Sequence, residues 1–145
     1  MTWLVTGGAG YIGSHVVRNL SEAGIPVVVL DDLSTGLRRF VPDDVPFVEG
    51  TLLDGDLVSQ VLGDHGVTGV IHIAGFKFAG ISVEKPLHTY EQNVTAMMSL
   101  LQAMNTRGVN KLVFSSSSSV YGNAAEGLVT EDHAFNPTSP YGESK

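Results

Sequence analysis

The chain has 145 residues, 43% of them hydrophobic and 16% charged, a balance that suits one globular domain with a buried core and excludes a disordered chain. Eight basic against fifteen acidic residues leave a formal net charge of -7 with no basic block, which argues against a nucleic-acid partner. The absence of cysteine excludes disulfides and thiolate metal sites, the five histidines show no paired ligand spacing, and no apolar run reaches the roughly 18 residues of a membrane helix; the expected location is the cytoplasm.

Trp3-Leu4-Val5 reads as a strand that hands over to a helix through Thr6-Gly7-Gly8-Ala9-Gly10-Tyr11-Ile12-Gly13. Glycines suit that turn because it is tight, because the backbone must approach phosphates with no Cβ in the way, and because helix and strand must pack closely. Gly7, Gly10 and Gly13 are therefore candidate contacts of a dinucleotide pyrophosphate, whose charge would meet free N–H groups at the helix N-terminus. The helix is predicted over residues 11–23, with Ile12, Val16, Leu20 and Ala23 on one face and Gly24 as its C-cap. A second strand, Val27-Val28-Val29-Leu30, ends in Asp31-Asp32, 18 residues beyond Gly13. Acids at a strand end also suit a solvated loop. After a glycine run they are placed to accept hydrogen bonds from an adenosine ribose, and they would repel a 2′-phosphate, favouring NAD over NADP.

Leu33-Ser34-Thr35-Gly36 is turn-rich, Pro46-Phe47-Val48-Glu49 reads as a short third strand, and a helix is predicted through Leu53, Leu57 and Val61. Gly69-Val70-Ile71-His72-Ile73-Ala74 has the continuous apolar character of a parallel strand covered on both faces. Leu87, Tyr90, Val94, Met97, Leu101 and Met104 recur at steps of three and four, predicting a helix that Pro86 starts and Gly108 ends. Methionines on that stripe suit core filling, with an adaptable interface as the alternative. Lys111-Leu112-Val113-Phe114 is a fifth strand running into Ser115 to Ser119, and residues 136–140 form a loop before a last helix near Tyr141. Strands alternating with helices at this spacing imply a doubly wound parallel α/β sheet of Rossmann type over residues 1–145.

On that last helix Tyr141 and Lys145, four residues apart, would project side by side. A phenol ordinarily titrates near pH 10, and a neighbouring ammonium favours the phenolate, so the pair suits a general base. Tyr-x-x-x-Lys is also common on plain exposed helices; the serine run ending a buried strand, where ligands bind in this fold, adds a third polar group.

Taken together these segments resemble the extended short-chain dehydrogenase/reductases of the NAD-dependent epimerase/dehydratase family, and within it the UDP-glucose 4-epimerases. The resemblance rests on Gly-Gly-Ala-Gly-Tyr-Ile-Gly-Ser-His at 7–15, Leu-Asp-Asp-Leu-Ser at 30–34, Val-Ile-His-Ile-Ala-Gly-Phe-Lys at 70–77 and Ser-Val-Glu-Lys-Pro-Leu at 82–87. It continues through Asn93-Val94, Phe-Ser-Ser-Ser at 114–117, Val-Tyr-Gly at 120–122 and Ser-Pro-Tyr-Gly-Glu-Ser-Lys at 139–145. It implies NAD contacts from Tyr11 and Ile12, from Asp31, Asp32, Leu33, Ser34, Thr35 and Gly36, from Thr51 and Leu52, and from Ile73, Ala74, Gly75, Phe76 and Lys77. Asn93 would lie beside cofactor and sugar nucleotide. Ser117 matches the family's catalytic serine and Tyr141 its base; both would contact substrate, while Lys145 would lower the pKa of Tyr141, and Tyr141 and Lys145 would also touch the cofactor.

The implied reaction interconverts UDP-glucose and UDP-galactose: Tyr141 takes the 4-hydroxyl proton while C4 passes hydride to NAD⁺, and the 4-keto sugar turns over and recovers the hydride on its other face. Another nucleotide-sugar epimerase or a non-catalytic dinucleotide-binding module are the alternatives. A dehydratase is disfavoured, because that group places Asp-Glu where Ser118-Ser119 stand. Thr51 stands where the family usually has an acid for the adenine amino group, which weakens that hydrogen bond. Family members continue for about as many residues again, supplying the last strands and a smaller substrate domain. The chain is thus expected to be an incomplete N-terminal NAD-binding domain with no appreciable epimerase activity by itself, from a protein that pairs as a homodimer and takes a UDP-sugar.

Overall fold

The computed structural model describes residues 1–123 and 128–145, and these fall into two compact units. The first comprises residues 1–74 and 96–115. Its strands are β1 (Thr2–Thr6), β2 (Val27–Asp31), β3 (Phe47–Glu49), β4 (Val67–His72) and β5 (Leu112–Phe114), all parallel in the order β3-β2-β1-β4-β5. Its helices are α1 (Tyr11–Glu22), α2 (Gly55–Asp64) and α5 (Ala96–Arg107). The order places β1 and β4 side by side at the centre, where the connections switch direction and ligands bind in such sheets.

Successive residues of a strand point to opposite faces, so each continuous apolar strand serves two cores. Leu4, Val28, Leu30 and Val70 join Val58, Val61 and Leu62 of α2 and Leu100 and Met104 of α5 in one core. Val5, Val27 and Val29 join Val17 of α1 with Val41 and Val45 in the other. Trp3 lies over Gly69, its register neighbour, where a Cβ would sit 2.7 Å from the indole. Gly24 has φ of 69° and closes α1, with Ile25 N–H reaching the Leu20 carbonyl at 2.9 Å.

The second unit comprises residues 75–95 and 116–145. It holds α3 (Ala79–Glu84), α4 (Pro86–Tyr90), a π-helical turn (Glu91–Thr95), a 3₁₀ turn (Ser118–Tyr121) and α6 (Pro140–Ser144). Its buried positions among the described residues are Ser82, Thr89, Asn93 and Gly142, and none is a large apolar side chain. Thr89 Oγ donates to the Lys85 carbonyl at 3.1 Å, so polar groups bonded to backbone do here what apolar packing does in the first unit.

Several expectations shift. β4 ends at His72 rather than Ala74, and α2 begins only after Asp54, whose carboxylate caps it by accepting Leu57 N–H at 3.0 Å. The sequence does not signal α3, whose six residues carry no apolar periodicity. Residues 86–107 are helical, but the expected core stripe is corrected: of its members Leu87, Val94 and Leu101 are exposed and Met104 is buried, and the buried positions of α5 are Ala96, Leu100, Ala103 and Met104. Upstream, the buried positions are Thr89 and Asn93, polar residues that hydrophobic periodicity passes over.

Candidate functional site

In the first unit the glycine run folds back on itself at the carboxyl end of β1. Gly10 N–H donates to the Gly7 carbonyl at 3.1 Å, and Ser14 N–H donates to the Gly10 carbonyl at 2.9 Å as α1 begins. Gly7 has φ of 70°, and a Cβ on it would lie 2.7 Å from the Ala74 nitrogen. A Cβ on Gly13 would fall on the Gly7 carbonyl oxygen and 2.8 Å from Gly8 Cα. Backbone cannot step aside as a side chain can, so both positions require glycine. Tyr11 and Ile12 are exposed at the first turn of α1, which carries no acid, and its N-cap Gly10 offers no capping side chain. That end of α1 suits an external anion, because its N–H groups have no side-chain acceptor.

Asp31, at the end of β2, is 8% exposed. Its Oδ2 accepts Ala9 N–H from the glycine run at 2.9 Å, and its Oδ1 accepts Leu33 N–H at 2.8 Å. A carboxylate offers about four acceptor positions, so two stay open for hydroxyl donors. Leu33, with φ of 56°, is the one non-glycine residue at positive φ among those described, and the Asp31 bond helps hold it there. Gly36 packs against the same carboxylate: a Cβ would lie 2.8 Å from Asp31 Oδ1. Asp32 is exposed and accepts the Ser34 N–H and hydroxyl at 2.9 and 2.6 Å, and Thr35 is exposed beside them.

Thr51 uses its hydroxyl oxygen to accept Leu53 N–H at 3.2 Å, keeping its proton to donate. Leu52 is 7% exposed in the core, so only its main chain is on offer to a ligand. Ile73 and Ala74 both donate their N–H to the Thr6 carbonyl, at 3.2 and 3.1 Å, which holds them against Gly7. A pair without an expected role lies below them. The Thr6 hydroxyl and His72 Nδ1 are 2.7 Å apart and both residues are buried, tying the carboxyl ends of β1 and β4. Its only trace in the sequence is one imidazole in an apolar strand. A backbone cradle that a Cβ would fill, an uncapped helix start and a fixed, buried carboxylate together fit a dinucleotide.

The second unit brings together Gly75, Phe76, Asn93 and Lys145. Asn93 Oδ1 accepts Phe76 N–H at 2.7 Å, while its Nδ2 donates to the Phe76 carbonyl at 3.0 Å and to Ser144 Oγ at 2.8 Å. Both amide protons are thereby used, so Asn93 has only acceptor capacity left on Oδ1. A Cβ on Gly75 would lie 2.8 Å from that oxygen and 3.7 Å from Lys145 Nζ. Burial lowers the Lys145 ammonium below its ordinary pKa of 10.5. Lys145 is the C-cap of α6 rather than part of it, and its main-chain carbonyl accepts the exposed Ser116 hydroxyl at 3.2 Å. Ser117 begins the 3₁₀ turn by accepting Ser119 N–H at 3.2 Å, which leaves its hydroxyl proton to donate. Tyr141 is half-buried in the first turn of α6. Lys77 is exposed and its ammonium lies over Phe78, 5.8 Å from the ring centre.

The sequence model of the NAD dependent epimerase/dehydratase family matches residues 3–145. A UDP-glucose 4-epimerase of Lactobacillus helveticus is 50% identical over the whole chain, which spans 44% of that protein's length. The crystal structure of the Thermus thermophilus UDP-glucose 4-epimerase in complex with NAD is 42% identical, with a TM-score of 0.97 over 100% of this chain and 47% of the other. A dTDP-glucose 4,6-dehydratase of Streptomyces venezuelae, solved with NAD, is 36% identical with a TM-score of 0.91 over 100% of this chain and 48% of the other. The shared fold therefore does not choose between the two reactions. With nearly every residue matched, the chain belongs to the NAD dependent epimerase/dehydratase family.

Proposed function

We propose that residues 1–145 are the cofactor-binding domain of an NAD-dependent nucleotide-sugar 4-epimerase that interconverts UDP-glucose and UDP-galactose. The observation that carries this reading is Ser117, Tyr141 and Lys145 in one unit of a chain 50% identical to a UDP-glucose 4-epimerase. In the first unit the glycine loop would hold the pyrophosphate and Asp31 the adenosine ribose. Bound NAD supplies a reversible hydride acceptor for the sugar C4. The Tyr141 phenolate, favoured by the Lys145 ammonium, takes the 4-hydroxyl proton to become the phenol and later returns it. Ser117 donates its remaining proton to the reacting oxygen. Ser118-Ser119 before Val120-Tyr121-Gly122 favours epimerisation over dehydration, since no acid is there to expel a 6-hydroxyl. We place the protein in the cytoplasm as a homodimer, a reading that rests on the family resemblance.

The test is conversion of UDP-galactose to UDP-glucose by the complete gene product with no net consumption of NAD. Tyr141→Phe should lower kcat by about 100-fold or more while NAD binding holds. A protein that binds NAD but neither binds nor converts UDP-sugars would be a dinucleotide-binding module instead.

A further inference from the structure

Three of the contacts that hold α6 in the second unit come from side chains to which the reaction gives no part. A helix of five residues is too short to persist by its own hydrogen bonds. Its first turn is nevertheless fully partnered. Pro140 has no N–H; Tyr141 N–H donates to Ser82 Oγ at 3.1 Å; Gly142 N–H donates to Ser139 Oγ at 3.1 Å; and Glu143 N–H donates to the Ser139 carbonyl at 3.0 Å. Ser82 is fully buried on α3 and donates its own proton to the Ala79 carbonyl at 2.6 Å, so its oxygen is fixed as an acceptor.

A second tie comes from α4, where the Tyr90 hydroxyl donates to Glu143 Oε2 at 2.5 Å, the short length of a charge-assisted bond. On a third side Gly142 is buried against the 3₁₀ turn, where a Cβ would lie 2.5 Å from the Ser119 carbonyl oxygen and 3.2 Å from Pro137 Cβ. Since the unit buries no large apolar side chain among the described residues, these polar ties decide where α6 lies.

We propose that Ser82 and Tyr90 are positioning residues for Tyr141: Ser82 caps α6 from α3 through the Tyr141 N–H, and Tyr90 anchors it from α4 through Glu143. The consequence for catalysis rests on the epimerase reading given above; the ties themselves do not. The Tyr141 N–H is held directly, which restrains the backbone from which its side chain starts. Misplacement of a catalytic group by about 1 Å costs about 100-fold in rate.

Amide hydrogen exchange of the complete gene product reads the ties without assuming any activity. Ser82→Ala should speed exchange at the Tyr141 N–H about tenfold, with Ser82→Thr restoring most of the protection. Tyr90→Phe, which keeps the ring and removes only a surface hydroxyl, should speed exchange through α6. Glu143→Ala should do the same, and the double variant should add little to either. In turnover, Ser82→Ala and Tyr90→Phe should each lower kcat about tenfold with KM and NAD affinity within about twofold. Unchanged exchange in α6 for both variants overturns the proposal, and so does faster exchange with unchanged kcat. An unsubstituted protein without UDP-sugar turnover overturns the epimerase reading alone, and the exchange data then decide the proposal.

Discussion

At Gly13 one added carbon atom decides why the residue is glycine. A Cβ there meets the Gly7 carbonyl oxygen, so Gly13→Ala must open the turn that presents the helix N-terminus. Its expected cost is about 1–3 kcal/mol of stability and at least about tenfold in NAD affinity, read by chemical denaturation and by fluorescence titration with NAD. Lys145 offers a second residue-level test. Burial lowers its pKa below 10.5, so the folded chain binds fewer protons than the unfolded one between the lowered value and 10.5, and stability rises with pH across that window. The Tyr90 phenol has the opposite sign. The hydrogen bond to Glu143, aided by burial and by the carboxylate charge, raises its pKa above 10.0, so its contribution is complete below 10.0 and is lost as pH rises through the raised value. Urea unfolding from pH 8 to 11 should therefore show a gain that Lys145→Met abolishes and a loss that Tyr90→Phe abolishes.

Among elements, α5 gives the plainest contrast. Leu100 is fully buried in the first core and Leu101 beside it is 43% exposed, although Leu101 carries the apolar periodicity. Leu100→Ala should cost about 2–5 kcal/mol and Leu101→Ala within about 0.5 kcal/mol, measured by urea unfolding. Gly142→Ala should displace α6 from the Ser119 carbonyl and lower kcat more than it lowers NAD affinity. The parallel strands were legible in sequence because burial on both faces writes a continuous apolar run, as in Val27-Val28-Val29-Leu30. The glycine turn was legible because backbone crowding admits no other residue at Gly7 and Gly13. The bonds of Ser82 and Asn93 were not, since their partners lie 59 and 17 residues away in the chain. No local pattern records such a bond.

Over the whole molecule, stability divides between a unit with two apolar cores and a unit whose buried positions, among the described residues, are polar or glycine. Apolar burial contributes about 25 cal/mol per Å², whereas a hydrogen bond adds a net of only about 1 kcal/mol. Native-state hydrogen exchange should accordingly find the amides of β1, β2 and β4 opening only with global unfolding, and those of α3 and α6 opening at lower free energy. Equal protection in both units would contradict that division.

The carboxylate of Asp31 constrains how this protein can be re-engineered or evolve. With Asp31 at the adenosine ribose, as proposed above, adapting the site to a 2′-phosphorylated cofactor calls for removing the acid, yet this acid also ties the glycine loop to the turn after β2 through Ala9 and Leu33. A single replacement would relax discrimination and unfasten the loop in one step, so any viable route between cofactors must pass first through a change that re-anchors the loop.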